Sequence, residues 1–96
     1  MTQTANKQSG SELYSSIQVV HRSLRVLETL AGAETPLSLT TVAERVSLHR
    51  STTLRILRTL AEDGYAAFQT KTKSWTVGPA VLRLQAGARA STDLRQ

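Results

Sequence analysis

The segment from Arg50 to Glu62 carries the side chains of this chain that are best suited to chemistry. Hydroxyl and guanidinium groups recur along one side of a predicted helix, at Ser51, Thr52, Arg55 and Arg58. The opposite side is predicted to pack in a core, because apolar residues recur at i, i+3, i+6 and i+7, namely Leu54, Leu57, Leu60 and Ala61. Short hydroxyl side chains let a helix backbone approach a DNA groove, and arginines bind phosphates or guanine edges. The pattern therefore indicates a helix that contacts duplex DNA.

A shorter helix is predicted just before it, over Leu39–Val46, with Ser38 as its N-cap. Only residues 47–49 separate the two helices, and Leu48 is expected to fill the space between them. Helices joined by so short a turn cross at a large angle, so the second helix projects outward. Its N-terminal end can then enter a major groove.

Two short strands are predicted downstream, over residues 65–69 and Ser74–Val77, with a turn at residues 70–73. Asp63 and Gly64 precede them and are suited to end the helix. A two-stranded hairpin is unstable alone in water, so it must pack on the helices. The anchors expected for this packing are Tyr65, Phe68 and Trp75.

Two further helices are predicted outside this unit. Residues 16–31 show a helical pattern whose apolar face is wider than one small core needs. Either that helix is deeply buried, or part of it contacts a partner subunit. Residues 79–90 form a final helix that Pro79 opens, followed by a polar tail expected to fray. Residues 1–15 are polar and without a period, which predicts a disordered leader.

Composition limits the classes of function. The chain has 96 residues and a net charge of +5, and residues 45–73 hold six basic and two acidic residues, which suits a polyanion or a solvated basic face. There is no cysteine, and His21 and His49 are too far apart for a convincing metal site. No paired carboxylates or glycine-rich phosphate loop indicate an enzyme or a cofactor site. With no apolar membrane span or secretory segment, a cytoplasmic location is the default expectation.

The candidate DNA contacts come from the two helices of the helix-turn-helix and from the hairpin. Arg55 is the best candidate for a bidentate base contact. The start of the shorter helix offers backbone N–H groups to a phosphate. The two lysines of the hairpin are placed to reach the flanking backbone or minor groove. The complete set is Ser38, Thr40, His49, Arg50, Ser51, Thr52, Arg55, Arg58, Lys71 and Lys73.

The ordered set of motifs resembles the N-terminal DNA-binding domain of the IclR family of bacterial transcriptional regulators. The resemblance runs from about residue 16 to residue 84. The first motifs that carry it are residues 20–28 (VHRSLRVLE), residues 36–39 (PLSL) and the Val42-Ala43 pair. The others are Ser51-Thr52 with residues 55–60 (RILRTL), Gly64-Tyr65, and residues 75–79 (WTVGP). Three positions depart from the family pattern: Ser47 replaces a usual glycine, His49 a better N-cap or proline, and Trp75 a frequent tyrosine.

The resemblance implies a mainly α fold with a small β-hairpin, that is, a winged helix-turn-helix over residues 16–78 followed by a linker helix. It also implies a homodimer that uses the first helix and the linker helix. The residues expected at that contact are Val19, Val26, Leu30, Val81 and Leu84. Family members usually carry a C-terminal domain for a small-molecule effector, which this sequence lacks, as expected for a fragment or a short natural protein.

Two functions follow as hypotheses. The first is sequence-specific binding of double-stranded DNA for transcription regulation, as a dimer on a pseudo-palindromic operator. The alternative is a protein-interaction winged helix, or a truncated regulator that forms mixed dimers with a full-length relative. In the alternative the basic face is incidental.

Overall fold

The computed structural model describes the backbone of residues 2–95 and the side chains of residues 16–91. It contains four helices and one two-stranded antiparallel sheet, which confirms the winged helix-turn-helix class. In chain order the elements are α1 (Thr2–Gly32), α2 (Leu39–Val46), α3 (Arg50–Glu62), β1 (Ala66–Gln69), β2 (Ser74–Val77) and α4 (Ala80–Arg95). Within the described part of the chain, no helix combines the length and the apolar content needed to cross a membrane.

Local capping explains why α2 begins and ends where the sequence predicts. The Thr41 backbone N–H donates to Ser38 Oγ at 3.2 Å, which satisfies one of the free donors at the start of α2. At the other end, Ser47 adopts a left-handed conformation with φ 57°. A glycine adopts this conformation without steric cost, so the serine makes the turn slightly strained, as expected. The turn then leads directly into α3.

The core lies where α1, α2, α3 and the hairpin meet. Thr53 is fully buried in α3, and it is tolerated there because its hydroxyl donates to the His49 carbonyl at 2.9 Å. The predicted core face of α3 is confirmed, since Leu57 is fully buried and Leu54, Leu60 and Ala61 are partly buried against the core. The prediction did not include Thr53 and Ile56, which are also buried. Leu48 packs on the core as predicted. The buried cluster consists of Val26, Leu30, Leu37, Val42, Val46, Ile56, Leu57, Ala66 and Trp75.

The hairpin is held to the body of the domain through Trp75. In the β1–β2 register Phe68 lies opposite Trp75, and their ring centroids are 4.8 Å apart. Leu37 and Trp75 exchange two backbone hydrogen bonds, of 2.9 and 2.7 Å, which join the loop before α2 to β2. Trp75 is buried, whereas Phe68 is 47% exposed. The prediction that Phe68 anchors the hairpin is therefore corrected. Tyr65 is half-buried and lies one residue before β1.

Helix α1 presents apolar residues on two sides. Val26 and Leu30 are buried in the core of the single chain, which removes them from the predicted dimer contact. Three other residues remain exposed on the far side, Ile17 at 54%, Val20 at 57% and Leu24 at 51%. α1 begins at Thr2 and not near residue 16, so the structure has helical backbone over residues 2–15 of the predicted leader, whose side chains are outside the described set. The leader as a separate unit is not tested. It stays a prediction, as does the division of the chain at residue 78.

Residues 64–65, just before β1, lie in close contact with residues 78–80, and we call this contact the chain crossing. The Gly78 N–H donates to the Tyr65 carbonyl, and the Ala80 N–H donates to the Gly64 carbonyl, both at 2.9 Å. A Cβ atom placed on Gly78 would lie only 2.3 Å from the Gly64 carbonyl oxygen. Helix α4 begins at Ala80 and extends to Arg95, beyond the predicted end at residue 90. The side chains of the predicted frayed tail from residue 92 onward are outside the described set.

Candidate nucleic-acid interface

The outer face of α3 is cationic and open to solvent. At 100° per residue, Ser51, Arg55 and Arg58 lie opposite the buried Thr53 and Leu57. All three outer side chains are exposed. Packing of the inner face therefore orients the two guanidinium groups outward, as required for a helix that enters a groove.

The start of α3 adds further polar groups to this face. His49 occupies the N-cap position but makes no side-chain capping hydrogen bond, so its imidazole is exposed and available. Arg50 is also exposed. Thr52 is half-buried on the side of α3 that faces α1, so it is less accessible than expected. The positive end of the helix dipole favours an anion at this position.

A groove of about 310 Å³ separates α3 from α1. The Ser23 and Thr59 hydroxyls in this groove each donate to a carbonyl of their own helix at 2.8 Å. The guanidinium groups of Arg22 and Arg55 are the charged donors there. The groove is lined by Val19, Arg22, Ser23, Thr52, Arg55, Ile56 and Thr59.

Arg22 is a candidate site residue that sequence reasoning missed. It borders the α1–α3 groove and also a second groove beside His49 and Thr52. The sequence-based prediction gave the first helix only packing and dimerisation roles. A charged residue four positions before the core residue Val26, and thus on nearly the same side of the helix, was the available indication.

Ser38 and Thr40 lie at the start of α2, and both are exposed. The Ser38 hydroxyl is already engaged, since it accepts from the Thr41 N–H and donates to Thr41 Oγ1 at 3.0 Å. A groove of about 330 Å³ runs between this end of α2 and the hairpin. It is lined by Pro36, Ser38, Gln69, Thr72 and Ser74. The structure thus brings the α2 start and the hairpin side by side.

The two lysines of the hairpin occupy different positions. Lys71 is exposed in the turn between the strands. Lys73 is exposed too, and it borders a fourth groove, which we call the wing slot, together with Arg58 of α3. The wing slot has a volume of about 360 Å³ and is lined by Leu39, Leu54, Arg58, Phe68, Lys73 and Trp75. The hairpin therefore places one cation directly beside α3.

The chemistry of this surface is that of anion binding by guanidinium, ammonium and backbone N–H groups. Among the residues with described side chains, no group of three or more histidine, aspartate or glutamate residues could hold a metal ion. Basic residues border the grooves on both sides of α3, with Arg22 and Arg55 on the α1 side and Arg58 and Lys73 on the hairpin side.

Comparison with known proteins identifies close similarity over this same region. Residues 19–70 match the family described as the IclR helix-turn-helix domain. The HTH-type transcriptional regulator BhcR from Paracoccus denitrificans is 36% identical over 74 residues, covering 77% of this chain and 26% of that protein.

Solved structures show the same similarity. The crystal structure of an IclR transcriptional regulator from Alicyclobacillus acidocaldarius superposes with a TM-score of 0.69 at 30% identity, covering 74% of this chain and 29% of that one. Pseudomonas aeruginosa HmgR gives a TM-score of 0.68 at 28% identity, covering 72% of this chain and 28% of that one. The chain spans little more than a quarter of the length of these proteins.

Proposed function

Since this chain belongs to the IclR helix-turn-helix family of DNA-binding transcription regulators, we propose that it binds a specific duplex sequence as a homodimer. The operator is a pseudo-palindrome, and the location is the cytoplasm, where the DNA of a bacterium lies. One observation carries the proposal: Ser51, Arg55 and Arg58 are exposed on the side of α3 that faces away from the core. A small-molecule effector stays a prediction from the resemblance.

The residues divide into those that read bases and those that hold the backbone. Arg55 makes the bidentate base contact, while Ser51 and Thr52 reach the adjacent base edges or the nearest phosphate. The other residues bind phosphates and fix the register of α3 in the groove. This second group consists of Arg22, Ser38, Thr40, His49, Arg50, Arg58, Lys71 and Lys73.

The exposed apolar side of α1 supports the dimer. Ile17, Val20 and Leu24 recur at i, i+3 and i+7, so they form one stripe along the helix. Val19 from the predicted contact is also exposed, at 49%, as are Leu82 and Leu84 of α4. Val81 is half-buried. A dimer formed through this stripe must present its two α3 helices about 34 Å apart, or a multiple of that distance, to bind two half-sites.

Selection of bound sequences from a random duplex pool tests the proposal. We expect an enriched consensus with two inverted half-sites, because a twofold dimer presents two equivalent α3 helices. A consensus with one half-site would contradict the dimer. A pool without enrichment would contradict sequence-specific binding and favour the protein-interaction function, for which the exposed α1 stripe is the supporting observation.

Binding to the selected operator is expected to depend steeply on salt. If the dimer neutralises about seven phosphates, affinity falls by about three to four orders of magnitude between 50 and 200 mM salt, because each contact releases a counterion. Fluorescence anisotropy over a salt series measures the slope. A slope near zero would show that the basic face does not contact the DNA backbone.

Leu24→Glu is expected to convert the dimer into a monomer, because it places a charge within the apolar stripe. Analytical ultracentrifugation measures the mass, and anisotropy measures binding to a single half-site, which should be unchanged. The corresponding Leu82→Glu variant separates the contribution of α4 from that of α1. A Leu24→Glu protein that retains the dimer mass would exclude the stripe from the interface.

A further inference from the structure

Phe68 is an aromatic residue whose exposure the fold does not explain. It lies in β1, and one side of its ring contacts Trp75 at an angle of 51° between the ring planes. Phe68 as a whole residue is 47% exposed to water. Single exposed apolar residues are common, so exposure alone indicates nothing. The residues around Phe68 indicate a role for its exposed ring.

Phe68 forms one wall of the wing slot, and the other walls come from separate parts of the fold. Leu39 contributes from the first residue of α2, Leu54 from α3 and Trp75 from β2. These four side chains are apolar, so the surface they share is apolar at its centre. The slot is also large enough, at about 360 Å³, to take more than a single methyl group.

The two charged residues of the wing slot are both cations. Arg58 comes from α3 and Lys73 from the turn just before β2, so positive charge reaches the slot from both the helix and the hairpin. Lys73 has a left-handed backbone, with φ 51°, which is strained for any residue except glycine. A glycine would remove that strain but would also remove the ammonium group from the slot.

An apolar centre bordered by two cations matches the sugar–phosphate backbone of DNA, in which C–H faces of deoxyribose alternate with phosphates. The slot adjoins the candidate DNA contacts, since two of them, Arg58 and Lys73, line it. It is therefore continuous with the interface proposed above. RNA fits less well, because its 2′-hydroxyl would be placed against apolar side chains.

We propose that the wing slot holds one deoxyribose of the operator, with Phe68 against the sugar and the two flanking phosphates on Arg58 and Lys73. This inference rests on the proposed function and makes Phe68 a positioning residue for it. The contact carries no sequence information, because every nucleotide has the same backbone. Its effect is to fix the distance between α3 and the DNA strand that lies against the hairpin.

Phe68→Ala in the full chain tests the proposal. We expect about tenfold weaker binding, since an apolar contact area is lost. The same factor should apply to the operator and to an unrelated duplex, with an unchanged slope of affinity against salt. Lys73→Ala removes one phosphate contact from each subunit, so it should reduce the slope by about 1.8 for the dimer as well as the affinity. Lys71→Ala removes the same charge from the turn and should weaken binding less than Lys73→Ala.

A second measurement covers any loss of packing against Trp75 in the alanine variant. A benzophenone amino acid at position 68 abstracts hydrogen from nearby C–H groups, and we expect it to crosslink to deoxyribose of the bound operator. The same group at position 82 in α4 should not crosslink. If the position-68 protein binds DNA without crosslinking, or Phe68→Ala retains full affinity, the wing slot proposal is overturned while the proposed function stands. If the unmodified chain binds no duplex, both fail.

Discussion

Replacing Arg55 by alanine is expected to weaken specific operator binding by about 10- to 100-fold while leaving the thermal midpoint nearly unchanged. A bidentate guanidinium–base contact is worth about 1–3 kcal/mol of discrimination. The Arg55 side chain is exposed, and the hydrogen bond that its backbone carbonyl accepts from the Thr59 hydroxyl survives the substitution. Competition between operator and scrambled duplex measures the loss of specificity, and differential scanning calorimetry measures the stability.

Two further variants show which property of Arg55 matters. Arg25→Ala removes the same charge from an exposed position on α1 and should change specific affinity only slightly. Arg55→Lys retains the charge but not the paired donors, so it should keep the salt slope and lose the base preference. Large unfolding of Arg55→Ala would instead assign this residue a structural role, and retained specificity would exclude it from base reading.

Replacing Gly78 by alanine is expected to destabilise the domain by about 2–3 kcal/mol and to lower its thermal midpoint by roughly 10–20 °C. The new Cβ would lie 2.3 Å from the Gly64 carbonyl oxygen, 2.8 Å from its carbon and 3.1 Å from the Ala66 carbonyl oxygen. All three are backbone atoms, so no side-chain rotation relieves the overlap. The chain crossing must open, which weakens the two hydrogen bonds that hold it.

Gly87→Ala is the matched control for this effect. Gly87 lies within α4, and a Cβ there would meet nothing within 4 Å. Alanine is a better helix former than glycine by about 0.5–1 kcal/mol, so the thermal midpoint should stay constant or rise. Thermal unfolding followed by circular dichroism compares the two variants. Equal stability of Gly78→Ala and the parent chain would mean that the crossing is not a close contact in solution.

The elements with strong local determinants were predicted accurately. The ends of α2 and α3 coincide with the predicted residues, because a serine N-cap and the Asp63-Gly64 pair act over a few residues and need no tertiary information. The hairpin strands also match to within one residue. The exposed hydroxyl and guanidinium face of α3 follows from the same periodicity that buries its opposite side.

Predictions that required knowledge of packing were less accurate. α1 has apolar residues on two sides, and periodicity alone did not show that Val26 and Leu30 face the core while Val20 and Leu24 face solvent. In α3, buried Thr53 was unexpected, since a polar residue is buried without cost only when a partner such as the His49 carbonyl is in place.

The site residues that the sequence missed are those that other elements bring to α3. Arg22 lies about thirty positions before the helix it borders, and Phe68 more than a dozen positions after Leu54, on the opposite wall of the wing slot. Neither spacing produces a motif. Only the contacts of α1 and the hairpin with α3 place these side chains beside the candidate DNA contacts.

The pair of backbone hydrogen bonds between Leu37 and Trp75 has a consequence for how an operator is chosen. These bonds tie the hairpin to the loop before α2. The separation of the hairpin from α3 is therefore set before DNA binds, so little conformational entropy remains to be lost on association. A rigid arrangement of α3 and the hairpin is also expected to favour DNA of matching groove width. We expect sequences whose local groove width departs from that separation to bind more weakly, because they must be deformed first, and this discrimination would come from the stiffness of DNA at positions that no side chain touches.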